Sequence, residues 1–154
     1  MTYLKSIYIH GEGASHLYGK AKSFSNNFGT IAIPRSIYPE EAVEYYKNNL
    51  SELRDIILIG SSAGAISIQM ILKLFSKNIR KIILFNPAIY LSNLESEVPI
   101  VVYVGKEDGG VSSYNSLSAP QNVELIEIDG DHSFTGKEEL LNSIISHELS
   151  KIAS

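Results

Sequence analysis

The sequence predicts an α/β protein, a three-layer α/β/α sandwich around a mostly parallel sheet of about six strands. Three observations carry that prediction. Short runs rich in Ile and Val recur along the whole chain, and longer amphipathic stretches separate them. Several of the short runs are apolar without alternation, the pattern of strands covered on both faces. Strands alternating with helices imply βαβ units, hence a parallel sheet with helices on either side. In such sheets functional groups gather beyond the carboxyl ends of the strands.

Ser6 to His10 (SIYIH) and Thr30 to Ile33 (TIAI) are the first two strands. Pro39 to Leu53 forms a helix, opened by Pro39 in the first turn with Glu40 and Glu41 beside it, residues that suit a helix N-terminus. Ile56 to Ile59 is a buried strand. The helix Ala63 to Phe75 follows, apolar on most sides and therefore central. Lys81 to Phe85 (KIILF) and Ile100 to Val104 (IVVYV) are two more buried strands. Val123 to Ile128 (VELIEI) is more polar, as befits a strand near an edge. A last helix is expected from about Thr135, since Thr135 and Glu138 have the spacing of a capping box. Leu140, Leu141, Ile144, Ile145 and Leu149 give it one apolar stripe.

The totals suit one domain spanning residues 1–154. Hydrophobic residues make up 44% and charged residues 19%, an ordinary globular balance. Thirteen basic against 17 acidic side chains give a net charge of −4, and no basic stretch offsets it, which argues against a nucleic-acid partner. The absence of cysteine excludes disulfides, a thiolate nucleophile and thiolate metal sites. The first residues show no basic region followed by an apolar run, and no stretch is long enough to span a bilayer. The expectation is a soluble, cytoplasmic protein.

The most informative stretch is Ile57 to Ala65, ILIGSSAGA. Gly60-Ser61-Ser62-Ala63-Gly64 fits G-x-S-x-G with Ser62 at its centre. A serine that attacks a carbonyl must stand clear of the backbone at a strand's end. The tight strand-to-helix turn that achieves this crowds the residues two before and two after, so both must be small. Ser61 fails that test, because its own flanks are Ile59 and Ala63. The pentapeptide alone is weak, since a Gly- and Ser-rich turn could match it. Its position after a buried strand and before a helix sharpens it. The same turn sets the helix N-terminus, with its free N–H groups, beneath the serine.

A serine hydroxyl needs a base. His132, in Asp129-Gly130-Asp131-His132-Ser133-Phe134, follows the last strand on a loop at the sheet edge expected for Ser62, and is the best of the four histidines. His147 lies within the last helix as solvated surface. His10 ends the first strand beside Gly11 and fits a structural role, and His16 has no nameable partner. The base in turn needs a carboxylate to hold its tautomer. Asp108, in Gly105-Lys106-Glu107-Asp108-Gly109-Gly110-Val111, lies after a strand's carboxyl end, with Glu107 as its rival. Asp129 and Asp131 are too close in sequence to His132 and suit turn formation instead.

Acyl transfer also needs donors for a developing oxyanion. The expected pair is the backbone N–H of Ala63, directly after Ser62, and that of Glu12, in the loop His10-Gly11-Glu12-Gly13-Ala14. Phosphate-binding readings of that loop fail. A G-x-G-x-x-G has His16 in its third glycine position. A P-loop would need four residues, not five, between Gly13 and Gly19-Lys20, and a hydroxyl in place of Ala21.

Taken together, IHGEG after the first strand, GSSAG at the turn, GKEDGGV after a late strand and GDHSF before the last helix resemble the α/β-hydrolase superfamily. The resemblance covers almost the whole chain, in the family's order of nucleophile, acid and base, and is closest to small, lid-less esterase-type serine hydrolases. It implies a minimal α/β-hydrolase fold without a cap domain, lacking the early antiparallel strands of larger members. It also implies a Ser62-His132-Asp108 triad that cleaves a carboxylic ester or thioester with no metal or organic cofactor. The segment from Asn86 to Glu97, where larger members insert a cap, is short, and Pro87, Ile89, Tyr90 and Leu91 offer at most a small apolar rim. Small or protruding acyl groups are therefore expected of the substrate. The other readings are a non-catalytic binding module, a peptidase or an acyltransferase on the same scaffold.

Overall fold

A computed structural model of the chain describes residues 5–11, 19–34, 38–89, 94, 96–108 and 120–153. Its centre is a six-stranded sheet in which every neighbouring pair is parallel. The elements run β1 (Lys5–Ile9), α1 (Gly19–Phe28), β2 (Ile31–Ala32), α2 (Pro39–Asn49), β3 (Ile56–Ser61), α3 (Gly64–Phe75), β4 (Ile79–Phe85), β5 (Ile100–Gly105), β6 (Val123–Ile128) and α4 (Glu138–Ala153). The strand order is β2-β1-β3-β4-β5-β6. The order reverses between β1 and β3, the place where open α/β sheets leave a crevice for ligands.

The period-two alternation of each strand sorts its side chains between two cores. Ile7, Ile9, Leu58, Ile82, Leu84, Ile100, Val102 and Val104 pack on one face with Ala65, Ile68 and Ile71 of α3 and Ala42 and Tyr46 of α2. Tyr8, Ile57, Ile59, Ile83, Phe85, Val101 and Tyr103 pack on the other with Phe24 of α1 and Leu141 and Ile145 of α4. Both faces are covered, so the central strands carry continuous apolar runs, and the expected three-layer α/β/α sandwich is what the chain forms. The half-exposed β6 closes one edge, as its polarity predicted.

Most element boundaries fall within one or two residues of expectation, and three departures are larger. Helix α2 ends at Asn49, four residues short of Leu53, where Leu50 leaves helical geometry. Helix α1 has no counterpart in the sequence reading. It is polar and rich in Ser and Asn, and buries only Ala21 and Phe24. The last helix begins at Glu138 instead of Thr135, because Phe134 and Gly136 adopt left-handed backbone (φ 53° and 73°) and the Thr135 N–H donates to Asp131 Oδ1 at 2.9 Å. The loop after β6 is therefore a compact turn. No helix among the described residues is long and apolar enough to cross a membrane.

Candidate active site

The turn after β3 is built as the small-residue argument requires. Ser62 has φ 51°, a left-handed conformation that non-glycine residues adopt at a cost of roughly 1–3 kcal/mol. Backbone hydrogen bonds hold it there. The Ser62 N–H donates to Phe85 O (3.1 Å), and Ser62 O accepts from Ala88 (2.9 Å) and Ala65 (3.2 Å). Gly64 must be glycine for a simple reason: a Cβ there would lie 2.2 Å from Ile9 O and 3.0 Å from His10 O. The first turn of α3 thus rests directly on the end of β1. Gly11, next along the chain from His10, comes so close that its Cβ would stand 2.9 Å from Ser62 Cβ.

The two adjacent serines face different ways. Ser61 is buried, and its Oγ accepts a 3.0 Å hydrogen bond from the Tyr8 hydroxyl, whose pKa burial pushes up to about 12. Ser62 is partly exposed, and its Oγ lies 2.9 Å from His132 Nε2. His132 Nδ1 lies 3.0 Å from Asp108 Oδ2. The imidazole is about half exposed, whereas the Asp108 side chain is 10% exposed. Three residues that are distant in sequence thus form one chain of contacts along the carboxyl edge of the sheet, after β3, β5 and β6. In this geometry an imidazole can accept a hydroxyl proton at one nitrogen while a carboxylate fixes the proton on the other.

The rival carboxylates are engaged elsewhere. Glu107 Oε2 accepts the Gly130 N–H at 2.7 Å, and the Glu107 N–H donates to Gly130 O at 3.0 Å. Glu107 therefore staples the end of β5 to the histidine loop. Asp129 pairs with Lys106 at the surface. Asp131 caps its own turn at Thr135, and that bond holds its carboxyl below the usual carboxylate range. Lys20 at the start of α1 donates to Ser133 O at 2.9 Å. Burial draws the Lys20 pKa below its ordinary value against the opposing charges of Asp131 and Glu138. His10 is buried with Nδ1 2.9 Å from Gly11 O, and His147 is exposed, both in line with the roles expected of them.

Of the two expected oxyanion donors, Ala63 sits at the N-terminus of α3, where amides have no intrahelical acceptor. Glu12 lies outside the described residues, as do His16, Val111 and, on the proposed rim, Tyr90 and Leu91. Among the described residues no group of three or more His, Asp or Glu side chains is arranged to hold a metal ion. Sequence reasoning missed Asn86, which follows β4 and is fully buried among these loops. Its one signal was a polar residue immediately after an apolar strand.

No family model and no curated protein sequence matches the chain. Solved structures do. A bromoperoxidase from Bacillus anthracis superposes with a TM-score of 0.75 at 12% identity, over 97% of this chain and 92% of its own. A thermophilic esterase from Thermogutta terrifontis gives 0.72 at 12% identity, over 99% and 92%. Alpha/beta hydrolase domain-containing protein 10 from mouse gives 0.70 at 15% identity, over 96% and 90%. At these identities the likeness is one of fold, and the fold is that of the α/β-hydrolases.

Proposed function

We propose that the chain is a serine hydrolase of carboxylic esters or thioesters, carried by a single domain of residues 1–154. The observation that carries the proposal is the unbroken contact chain Ser62–His132–Asp108, with Ser62 on a strained turn at the reversal point of the sheet. Ser62 Oγ attacks the acyl carbon while its proton passes to His132 Nε2. Asp108 orients the ring and stabilises the imidazolium. The backbone N–H groups of Ala63 and Glu12 receive the oxyanion. Collapse breaks the bond to the alkoxide or thiolate, which leaves with the proton from His132. Water, deprotonated by the same ring, then attacks the acyl-serine and releases the acid. No metal or organic cofactor enters this scheme, and the partner is a small ester or thioester. The cytoplasm is the compartment we assign to it.

Fluorophosphonate labelling read by peptide mass spectrometry tests the proposal, alongside turnover of short-chain p-nitrophenyl esters. The expected result is a single adduct on Ser62, lost in His132→Ala. Turnover that survives Ser62→Ala unchanged would refute it. An adduct on Ser61 would overturn the reading of the turn. Thioester and amide substrates, with and without an alcohol acceptor, separate thioesterase, peptidase and acyltransferase activity.

A further inference from the structure

Asn86 is 0% exposed, sits directly after β4, and uses its whole side-chain amide on the site's framework. Nδ2 donates to Asp131 O (3.0 Å) and to His132 O (2.9 Å). Oδ1 accepts the Gly105 N–H at 2.7 Å, at the end of the strand that leads to Asp108. The assignment of oxygen and nitrogen is fixed by the partners, since the reverse would set a carbonyl against two carbonyls. The Asn86 N–H donates to Tyr103 O at 2.9 Å, and Phe85, the residue before it, accepts the Ser62 N–H at 3.1 Å. One side chain therefore ties the main chain of the histidine to the strand that anchors the serine and to the strand that leads to the acid. Its backbone is left-handed (φ 44°), a conformation that asparagine tolerates better than most residues.

We infer that Asn86 is a positioning residue, holding the His132 backbone so that the imidazole bridges Ser62 and Asp108. The His132 loop has no helix or strand of its own, and half of the ring is in solvent. Packing therefore does little to locate the ring. The inference rests on the proposed triad for its catalytic meaning, but its geometric content can be read without catalysis.

Asn86→Asp tests it, because aspartate keeps an acceptor for Gly105 and turns both donations to the loop into oxygen–oxygen oppositions. Asn86→Gly is the second variant, since it accepts the left-handed backbone and adds no charge. A displacement of about 1 Å is expected to slow fluorophosphonate labelling of Ser62 about a hundredfold. For p-nitrophenyl esters kcat should fall while KM stays close to wild type. In proton NMR the downfield Nδ1–H signal of His132 should be lost or shifted in both folded variants. Labelling at the wild-type rate would overturn the inference. So would slowed labelling with an unchanged His132 signal, which marks a merely structural role. If wild-type Ser62 is not labelled at all, the hydrolase reading fails, and a His132 signal that still depends on Asn86 upholds the positioning role alone. If neither variant folds, through-hydrogen-bond couplings from Asn86 Nδ2 to carbonyls 131 and 132 in the wild type decide the matter, and their absence overturns the inference.

Discussion

Gly64→Ala probes the contact between the Ser62 turn and β1. The added Cβ would stand 2.2 Å from Ile9 O, 2.9 Å from Ile9 C and 3.0 Å from His10 O. All three are main-chain atoms, two at the last residue of β1, a strand held on both sides, and one at the residue after it, so no rotamer relieves the clash. A relaxed C···O approach is about 3.3 Å, so α3 and the end of β1 must part by about 1 Å. Overpacking of that kind costs about 1–3 kcal/mol. Taking 2 kcal/mol with a urea slope of about 2 kcal/mol/M, the unfolding midpoint should fall by about 1 M. The same movement separates Gly11 from Ser62, so the labelling rate should drop about a hundredfold. Gly60→Ala is the control. Its Cβ would meet Ile68 Cδ1 at 2.5 Å, the end of a side chain that can rotate away, and its cost should be clearly smaller. Circular dichroism in urea and the labelling rate measure both effects. If Gly64→Ala unfolds and labels like wild type, or is milder than Gly60→Ala, the backbone-contact argument is wrong.

Three further outcomes are expected. Asp108→Asn should leave the fold intact but favour the wrong imidazole tautomer, lowering kcat on p-nitrophenyl esters by roughly 10³–10⁴-fold, and a loss under tenfold would remove Asp108 from its proposed role. Ser62→Gly should be inactive yet more stable: relief of roughly 1–3 kcal/mol of backbone strain exceeds the entropy cost of glycine, and a net 1 kcal/mol raises Tm by about 2–4 °C. A lower Tm would show that the left-handed serine is not strained. Glu148 on α4 is buried, with its carboxylate bonded to Lys81 and Tyr103. Burial raises its pKa, but those bonds and the charges of Lys81 and Lys151 outweigh it, and the net pKa is lowered. A lowered folded pKa stabilises above the unfolded value of about 4.3 and loses that stabilisation as pH falls through the folded one, so wild type should lose stability below about pH 4 more steeply than Glu148→Gln in urea titrations.

What the sequence discloses and what it hides divide along a physical line. The central strands were legible because burial on both faces demands uninterrupted apolar residues, as in IILI and IVVYV. The turn was legible because its glycines stand at a fixed local spacing on either side of Ser62, although the contacts that demand them, β1 for Gly64 and Ile68 for Gly60, come from farther along the chain. That Asp108 and His132 would lie near Ser62 was legible through the rule that loops beyond strand ends converge. The choice between Asp108 and Glu107 was not, because both follow β5 and the difference lies in which carboxylate meets Gly130 and which meets the ring. Helix α1 escaped because it needs only Ala21 and Phe24 on the sheet, too little to mark a period. The capping box at Thr135 misled because Asp131, four residues earlier, takes the Thr135 N–H. Asn86 stayed hidden since its partners come from β5 and from the loop after β6, and no local pattern records contacts of that range.

The described residues with left-handed backbone other than glycine are Asp55, Ser62, Asn86 and Phe134, and three of the four lie on the carboxyl edge of the sheet around the site. Strain of this sort persists only where the surroundings over-determine it. Ser62 is held by three backbone hydrogen bonds. Asn86 is held by its amide contacts, and Phe134 by burial with its ring edge-on to Phe85 at 5.9 Å. Phe85 connects all three: its carbonyl receives the Ser62 N–H, its ring supports Phe134, and the next residue is Asn86. The strained positions therefore converge on the end of β4, a central strand paired on both sides. An edge strand could yield to that strain, whereas β4 cannot move without disturbing both cores. The six-stranded sheet can hold Ser62 and His132 in register because β4, a central strand that supplies none of Ser62, Asp108 and His132, carries the joint between them.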